Sequence, residues 1–183
     1  MGQKACCICC LLLLLAAPII IFALSFVTHK PRLYIEDFYI PALNNSTDLS
    51  NTTRLNTFIF IDLKLENVMP FNGLRYDDVN LTFFYGSNRS LAVANHTVSG
   101  FYQGLRKTAH KRAVVRTHGL PWEVAFAEVS GGETVSFRVD LATAVKLRRC
   151  GVYTKRKTMA LGADVRVDSS GEETNKKTIR LIN

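Results

Sequence analysis

Asparagines followed two residues later by serine or threonine are the most frequent chemistry-bearing pattern in this sequence. Such triplets accept N-linked oligosaccharide in the lumen of the secretory pathway. Six of them fall between residues 44 and 97, at Asn44, Asn45, Asn51, Asn80, Asn88 and Asn95. A turn region rich in serine, threonine and asparagine would explain the first three but not the others. We therefore predict N-glycosylation, which places this part of the chain on the exoplasmic side.

The cysteines divide into a cluster and a single residue. Cys6, Cys7, Cys9 and Cys10 precede an apolar run, and Cys150 stands alone far downstream. Cysteines at the mouth of a membrane helix favour S-palmitoylation, and small lipid-compatible side chains are the alternative. One exoplasmic cysteine allows no internal disulfide, so the outer domain must fold by packing alone. Cys150 itself is either an exposed reactive thiol or a half-buried residue at a strand end.

Motifs for catalysis or cofactor binding are missing from the sequence. It contains no G-x-S-x-G, P-loop, G-x-G-x-x-G or H-E-x-x-H motif. The histidines at positions 29, 96, 110 and 118 have no metal-ligand spacing with cysteines or carboxylates. We interpret His110 and His118 as solvated, and we expect a protein without enzymatic activity, cofactor or metal.

An uncharged segment near the N-terminus predicts a membrane anchor. Of the 183 residues, 48% are hydrophobic, and 21 of the 23 residues in 5–27 belong to that class. As a helix this segment would measure about 35 Å, enough for a hydrocarbon core of about 30 Å. It is longer than the apolar core of a cleavable signal peptide. We predict a cytosolic leader at 1–4, a transmembrane helix at 5–27 and an exoplasmic domain at 28–183. Because flanking positive charges are nearly balanced, the sequons decide this orientation.

Charge is distributed unevenly along the predicted outer domain. The whole chain has 23 basic and 15 acidic residues, a net charge of +8; residues 28–95 carry 6 and 7, and residues 96–183 carry 16 and 8. Such a balance favours acidic polysaccharide or anionic lipid as a partner, whereas an exoplasmic location argues against nucleic acid. A solvated surface that keeps the domain soluble is the alternative. The proposed anionic-ligand patch comprises Arg106, Lys107, Lys111, Arg112, Arg148, Arg149, Lys155, Arg156 and Lys157.

The outer domain alternates apolar and polar residues with period two, which is typical of strands with one buried face. The clearest runs cover residues 59–66, 79–85, 135–141 and 159–167, and further strands are predicted at 33–40, 91–98, 111–117 and 177–181. Glycine-containing turns separate several of these runs. Seven or eight short strands predict an all-β, two-sheet antiparallel β-sandwich. Outside the membrane segment, Leu141–Arg149 is the only helical candidate.

Several segments resemble the plant late-embryogenesis-abundant group 2 membrane proteins. These are the non-race-specific disease resistance and harpin-induced-like proteins, often labelled hydroxyproline-rich glycoproteins. The resemblance rests on residues 65–67, 73–83, 98–104 and 163–177. The family's Asn-Pro-Asn motif reads Asn67-Val68-Met69-Pro70 here, and five prolines do not make the chain proline-rich.

This resemblance implies a fibronectin type III-like sandwich, a plasma-membrane location and a role in defence or stress responses, with no catalytic residues. We expect an adaptor or adhesion module at the contact between wall and membrane, held in the lipid bilayer through residues 5–27. A four-residue leader holds no signalling domain, so a signal would have to pass through unidentified membrane protein partners, through clustering, or through lipidation at Cys6–Cys10. The alternatives are a structural stabiliser in desiccation or abiotic stress, and a lipid-binding sandwich.

Overall fold

The computed structural model describes residues 14–24, 26–45, 57–174 and 177–183. Residues 14–24 form a helix, α1. No helix within these described ranges has both the length and the apolar character needed to cross a bilayer. Residues 5–13 of the predicted anchor lie outside the described residues, as do Cys6, Cys7, Cys9 and Cys10. The membrane span and its lipidation therefore stay predictions.

Eleven strands in the described part of the chain form two sheets, and every strand pair is antiparallel. Sheet A has the order β11-β1-β2-β7. Sheet B has the order β5-β4-β8-β3-β6, and β9 and β10 also pair with β8. The strands are β1 (Arg32–Tyr39), β2 (Phe58–Glu66), β3 (Gly73–Tyr76), β4 (Val79–Tyr85), β5 (Leu91–Val98), β6 (Tyr102–Gln103), β7 (Thr108–Arg116), β8 (Val135–Arg149), β9 (Val152–Tyr153), β10 (Lys157–Val167) and β11 (Ile179–Arg180). A short 3-10 helix, Pro41–Leu43, follows β1.

The core lies between the two sheets and is built from the alternating apolar residues. In β2 the side chains at 59, 61, 63 and 65 are all buried, and those at 135, 137, 139 and 141 of β8 are buried as well. Phe38 of sheet A joins the layers, because its ring lies 5.9 Å from Phe137 and 6.4 Å from Phe83 of sheet B. This arrangement confirms the predicted all-β fold of two antiparallel sheets. Its likeness to fibronectin type III stays a prediction.

The one helical candidate outside the membrane segment, Leu141–Arg149, is a strand, because this segment is the second half of β8. Its apolar spacing fits either structure, but its backbone pairs with β10 as far as Val145 and with β3 from Val145 to Arg148. Three consecutive residues, 143–145, are buried. Such burial on both faces obscures the period of two that marks an ordinary half-exposed strand.

A helix that the sequence analysis did not predict, α2, covers Trp122–Ser130. It buries Ala125 and Val129, one turn apart, and its last turn is closed by the Gly131 amide bonding to the Ala127 carbonyl at 2.9 Å. Val124 is 54% exposed. Apolar residues therefore lie on both sides of this short helix, which hides the 3.6-residue period. The short strands β3, β6 and β9 were not predicted either.

Candidate functional sites on the surface of the sandwich

Three of the predicted glycosylation sites lie on one hairpin at the edge of sheet B. Asn80 of β4 and Asn95 of β5 are exposed, and Asn88 is exposed in the loop between these strands. The register places Asn80 opposite Thr97 and Thr82 opposite Asn95, so the two sequons face each other across the strands. The Thr97 hydroxyl donates a hydrogen bond to the Asn80 Oδ1 at 2.9 Å.

The remaining sequons follow β1. Asn45 is exposed, whereas Asn44 is half-buried and its Nδ2 donates to the Tyr39 hydroxyl at 3.4 Å. Asn51 lies outside the described residues. The described sites thus differ in accessibility, and their occupancy stays a prediction.

The structure does not gather the nine predicted patch residues into one surface. Arg112 lies on the outer face of sheet A, where its Nε donates to Asp62 at 2.7 Å. Arg156 instead binds Asp77, next to sheet B. Lys111 lies with its ammonium 4.3 Å from the centre of the Phe101 ring. Several of the positive charges are therefore engaged by local partners.

Four of the predicted patch residues lie at one end of the sandwich, together with an arginine and two tyrosines outside the prediction. We call this surface the basic end; its patch residues are Arg106, Lys107, Arg148 and Arg149, and the others are Arg75, Tyr102 and Tyr153. The pairing of Arg148 with both Gly73 and Tyr153, and of Leu74 with Gln103, brings these strand ends together. Guanidinium groups lie over aromatic rings, Arg148 over Tyr102 at 5.7 Å and Arg75 over Tyr153 at 6.0 Å. Such cation–π pairs hold cations at a surface without neutralising them.

The basic end also borders the segment that leads to α1. The Arg149 guanidinium lies 4.2 Å from the centre of the Phe26 ring. Two apolar side chains protrude here, Val152 at 71% exposure and Leu105 at 47%. Cys150 is exposed at the tip between β8 and β9, with a positive φ of 44°. The structure therefore agrees with the exposed alternative for this thiol and not with the half-buried one.

The opposite end of the sandwich is acidic. It carries α2 and the residue pair Glu128 and Glu133, together with the loop of Asn45, whose Oδ1 accepts from the Ser130 hydroxyl at 3.4 Å. The Tyr85 hydroxyl donates to Glu128 at 3.4 Å, and burial followed by the Glu128 charge raises the pKa of Tyr85. Glu128 and Glu133 thus lie at the end that carries α2, whereas the basic end lies beside the N-terminal segment.

On the outer face of sheet B, Asp140 is surrounded by arginines. Arg138 Nε donates to its Oδ1 at 2.9 Å, Arg89 binds both of its oxygens, and Arg138 also reaches Asp164 at 3.2 Å. Although burial opposes ionisation, the two arginines hold the pKa of Asp140 below its ordinary value. Gly162 lies under this network, where a Cβ atom would overlap Arg138 and Asp140.

The outer face of sheet A holds a group that the sequence analysis missed. His110 Nδ1 lies 2.7 Å from Glu36 Oε2 and 3.9 Å from Asp62 Oδ1. His110 was interpreted as solvated; it is about half exposed but paired with carboxylates. These residues come from β7, β1 and β2 and are far apart in sequence, so motif spacing cannot reveal them. Only the strand register brings them together.

A groove of about 530 Å³ opens between the N-terminal segment 28–31 and β10. Apolar side chains line its floor, among them Leu74, Leu147, Met159 and Leu161. Basic groups, including Lys30 and Lys157, stand at its wall. This combination of an apolar floor and cationic rim fits an amphiphile with a negative headgroup.

Comparisons with known proteins give a relative that covers most of the chain. No family model matches the chain. Protein NDR1 of Arabidopsis thaliana is 33% identical over 164 residues, which cover 86% of this chain and 72% of that protein. The crystal structure of a protein from Archaeoglobus fulgidus aligns with 74% of this chain and 94% of its own, at a TM-score of 0.34 and 12% identity.

Proposed function

Because the chain belongs to the non-race-specific disease resistance and harpin-induced-like family, we propose that it is a non-catalytic, membrane-anchored glycoprotein acting as an adaptor or adhesion module. Family membership supports a role in plant defence or stress responses. The proposal adds a plasma-membrane location, an exoplasmic domain and an anionic partner at the membrane or the wall.

The position of the basic end carries this proposal. Arg149 packs on Phe26, so the basic end lies next to the segment that leads into the predicted anchor. An anchor at 5–27 would hold the basic end against the bilayer, where anionic headgroups attract lysine and arginine. Val152 and Leu105 would then meet the interface with apolar side chains. The sequons at 45, 80, 88 and 95 are exposed elsewhere, where glycans would not collide with lipid.

The non-catalytic part of the proposal is supported by the surroundings of the potential nucleophiles. Within the described ranges, no histidine is hydrogen-bonded to a serine, threonine or cysteine side chain. The side-chain partners of His110 are carboxylates. An activated nucleophile needs an adjacent base oriented by a third group, and the described residues do not assemble one.

The defence role is tested in plants that lack the gene. We expect higher pathogen growth in these plants, restored to the normal level by the wild-type chain, with unchanged survival of water deficit. Loss of drought survival with normal pathogen resistance would instead support the structural stabiliser. Proximity labelling from the outer domain, with and without pathogen challenge, would then identify membrane protein partners.

Topology is tested by glycosidase treatment of the full chain from plant membranes. We expect a mobility shift on treatment, and smaller shifts when exposed sequons are removed one at a time by Asn80→Gln, Asn88→Gln or Asn95→Gln. An unshifted band, with all three variants migrating like the wild type, would contradict the exoplasmic location.

The anionic partner is tested with the full chain in nanodiscs with and without phosphatidylserine, and on immobilised polygalacturonate. The Arg106→Glu/Arg148→Glu variant changes the basic end, and Arg116→Glu/Arg166→Glu is a control with the same charge change at exposed sites elsewhere. We expect anionic lipid to protect residues 102–107 and 148–155 of the wild type from hydrogen exchange, and this protection should weaken as salt is added. The Arg106→Glu/Arg148→Glu variant should lose the protection, and the control variant should keep it. Retention on polygalacturonate instead would identify the wall as the partner, and equal behaviour of both variants would contradict a role for the basic end.

The apolar groove favours a lipid-binding sandwich as a second candidate function. Its floor includes Leu161, whose replacement by tryptophan would fill the space. We expect native mass spectrometry of the full chain to detect a bound lipid in the wild type and its loss in Leu161→Trp. Identical spectra of the two proteins would remove this candidate.

A further inference from the structure

A β-bulge concentrates carboxylates on the outer face of sheet A. The register between β1 and β2 shifts between Ile35 and Asp37, so that Glu36 and Asp37 together oppose Asp62. Bulges of this kind re-aim a side chain and often lie next to functional sites. Here the bulge turns Glu36 towards His110, on the far side of the intervening strand β2, at 2.7 Å.

Asp62 supplies a second and independent observation. It is only 7% exposed, and its Oδ1 has no hydrogen-bond partner, while its Oδ2 accepts from Arg112 at 2.7 Å. Oδ1 points to His110 Nδ1 at 3.9 Å, too far for a hydrogen bond. A buried acceptor without a donor is unfavourable, and so are like charges directly opposite each other in a sheet, as in the Asp37–Asp62 pair.

We propose that Glu36, Asp62 and His110 bind a divalent transition-metal ion of the zinc class. Their ligand atoms all lie within 4.8 Å of one another, and ligand atoms on one tetrahedral zinc ion are about 3.3 Å apart. Rotation of the exposed Glu36 and His110 side chains would bring the ligand atoms to the spacing that zinc requires. The proposal does not depend on the adaptor function.

The donor set selects among metals. One imidazole nitrogen with two carboxylate oxygens suits zinc and its neighbours, whereas calcium and magnesium prefer oxygen ligands alone. The ion would satisfy the open Asp62 Oδ1 and offset the charges of Glu36 and Asp37. Arg112 would still donate its hydrogen bond to Asp62 Oδ2, so Asp62 would bind the metal ion through Oδ1 alone. Three protein ligands leave a fourth position for water or for a donor from another molecule.

Binding also depends on the protonation of His110. The ion needs the lone pair of His110 Nδ1, so metal binding displaces any hydrogen that this nitrogen carries. Lys64 lies opposite His110 in the register. Its ammonium pairs with Glu66 at 3.3 Å and not with the three proposed ligands.

Zinc titration of the full chain in detergent tests the proposal. The protein is purified without a histidine tag, treated with EDTA, and alkylated so that its cysteines cannot bind metal. The variants are Asp62→Asn, His110→Gln and the exposed Glu36→Gln, and His118→Gln is the matched histidine control. Melting in EDTA establishes that each variant is folded.

We expect calorimetry to give one zinc ion per chain, with affinity reduced at least tenfold in each of the three variants and unchanged in His118→Gln. Calcium should bind at least tenfold more weakly than zinc. The proposal is overturned if the wild type binds no zinc, if the three variants bind it like the wild type, or if calcium binds equally well. Loss of binding in Asp62→Asn alone would also overturn the three-residue site.

Discussion

The two outer faces of the sandwich differ in how completely a partly buried aspartate is supplied with hydrogen-bond donors. On sheet B, both oxygens of Asp140 receive arginine donors, and the surrounding charges alternate through Arg138 and Asp164. On sheet A, Asp62 has one arginine on Oδ2 and an open Oδ1, next to two further carboxylates. The first face is a completed ion-pair network, and the second has an excess of acceptors.

This difference shows why counting charges does not locate a binding site. Both faces place arginine beside aspartate, yet Asp62 keeps a buried oxygen without a donor, whereas both oxygens of Asp140 accept hydrogen bonds. A completed network has little to gain from a ligand, because each new contact would replace an existing one. In an incomplete network the open acceptor gives up no existing contact, so the whole free energy of the new contact favours ligand binding.

The largest expected effect is that of Asp140→Ala, compared with Asp62→Ala in metal-free buffer. Asp140→Ala removes the acceptor of two arginines, and we expect a loss of about 1–2 kcal/mol in the free energy of unfolding. Asp62→Ala loses one contact to the exposed Arg112 but also relieves like-charge repulsion, so we expect a change within about 0.5 kcal/mol. Denaturant unfolding measures both. A larger cost for Asp62→Ala would reverse the comparison.

Gly162→Ala tests how tightly the sheet B network is packed. The added methyl group overlaps Arg138 and Asp140, and we expect a loss of about 1 kcal/mol as these side chains move aside. The loss should shrink in an Asp140→Ala background, because the two positions share a network. Additive losses in this double-mutant cycle would show that the overlap is relieved without disturbing the ion pairs.

The pH dependence of Asp140 gives the third test. Its pKa is below the ordinary 3.8 in the folded protein, so its ionised form adds stability above pH 3.8, and this stability is lost as the pH falls through the folded value. The melting temperature of the wild type should therefore exceed that of Asp140→Asn at pH 7. This difference should narrow below about pH 4. A difference that widens in acid would contradict the assigned network.

The excess of carboxylates on sheet A extends to Glu173. Its ionisation should change the stability less than that of Asp140 and in the opposite direction. Burial, and then the Asp37 charge, raise the pKa of Glu173 above its ordinary 4.5. Its ionisation therefore weakens the fold as the pH rises through the folded value. We expect Glu173→Gln to melt about 1–3 °C higher than the wild type at pH 7 and equally at pH 4. A lower melting temperature at pH 7 would show that the charged form is favoured instead.

The smallest expected effect concerns the paired sequons. Asn80→Gln disturbs the hydrogen bond from Thr97, and we expect a cost of about 0.5 kcal/mol in unglycosylated protein. Asn95→Gln is the matched control on the facing strand. Equal unfolding midpoints for these two variants would indicate that the cross-strand bond adds nothing measurable.

The alternating residues predicted the fold well, because one buried face gives each strand a simple period. Ile59 to Leu65 is such a case, and its odd-numbered residues are all buried. Alternation did not reveal that Leu141–Arg149 continues the strand β8, because neighbours on both faces bury consecutive residues, and it missed α2, where apolar Val124 is exposed. The Glu36, Asp62 and His110 cluster was beyond sequence reasoning, since it depends on a bulge and on pairing across three strands.

The central position of β8 has a consequence for the order in which the protein is made. Its partners β3 and β4 precede it in the chain, so sheet B has no middle strand until residue 149 has been synthesised. Residues 96–134 separate Asn95 from β8 and take about 2–8 s to translate. A lone β4–β5 hairpin is only marginally stable in water. An exoplasmic chain would therefore present Asn80, Asn88 and Asn95 to the oligosaccharide transferase before sheet B can close, and folding would follow around sugars already in place.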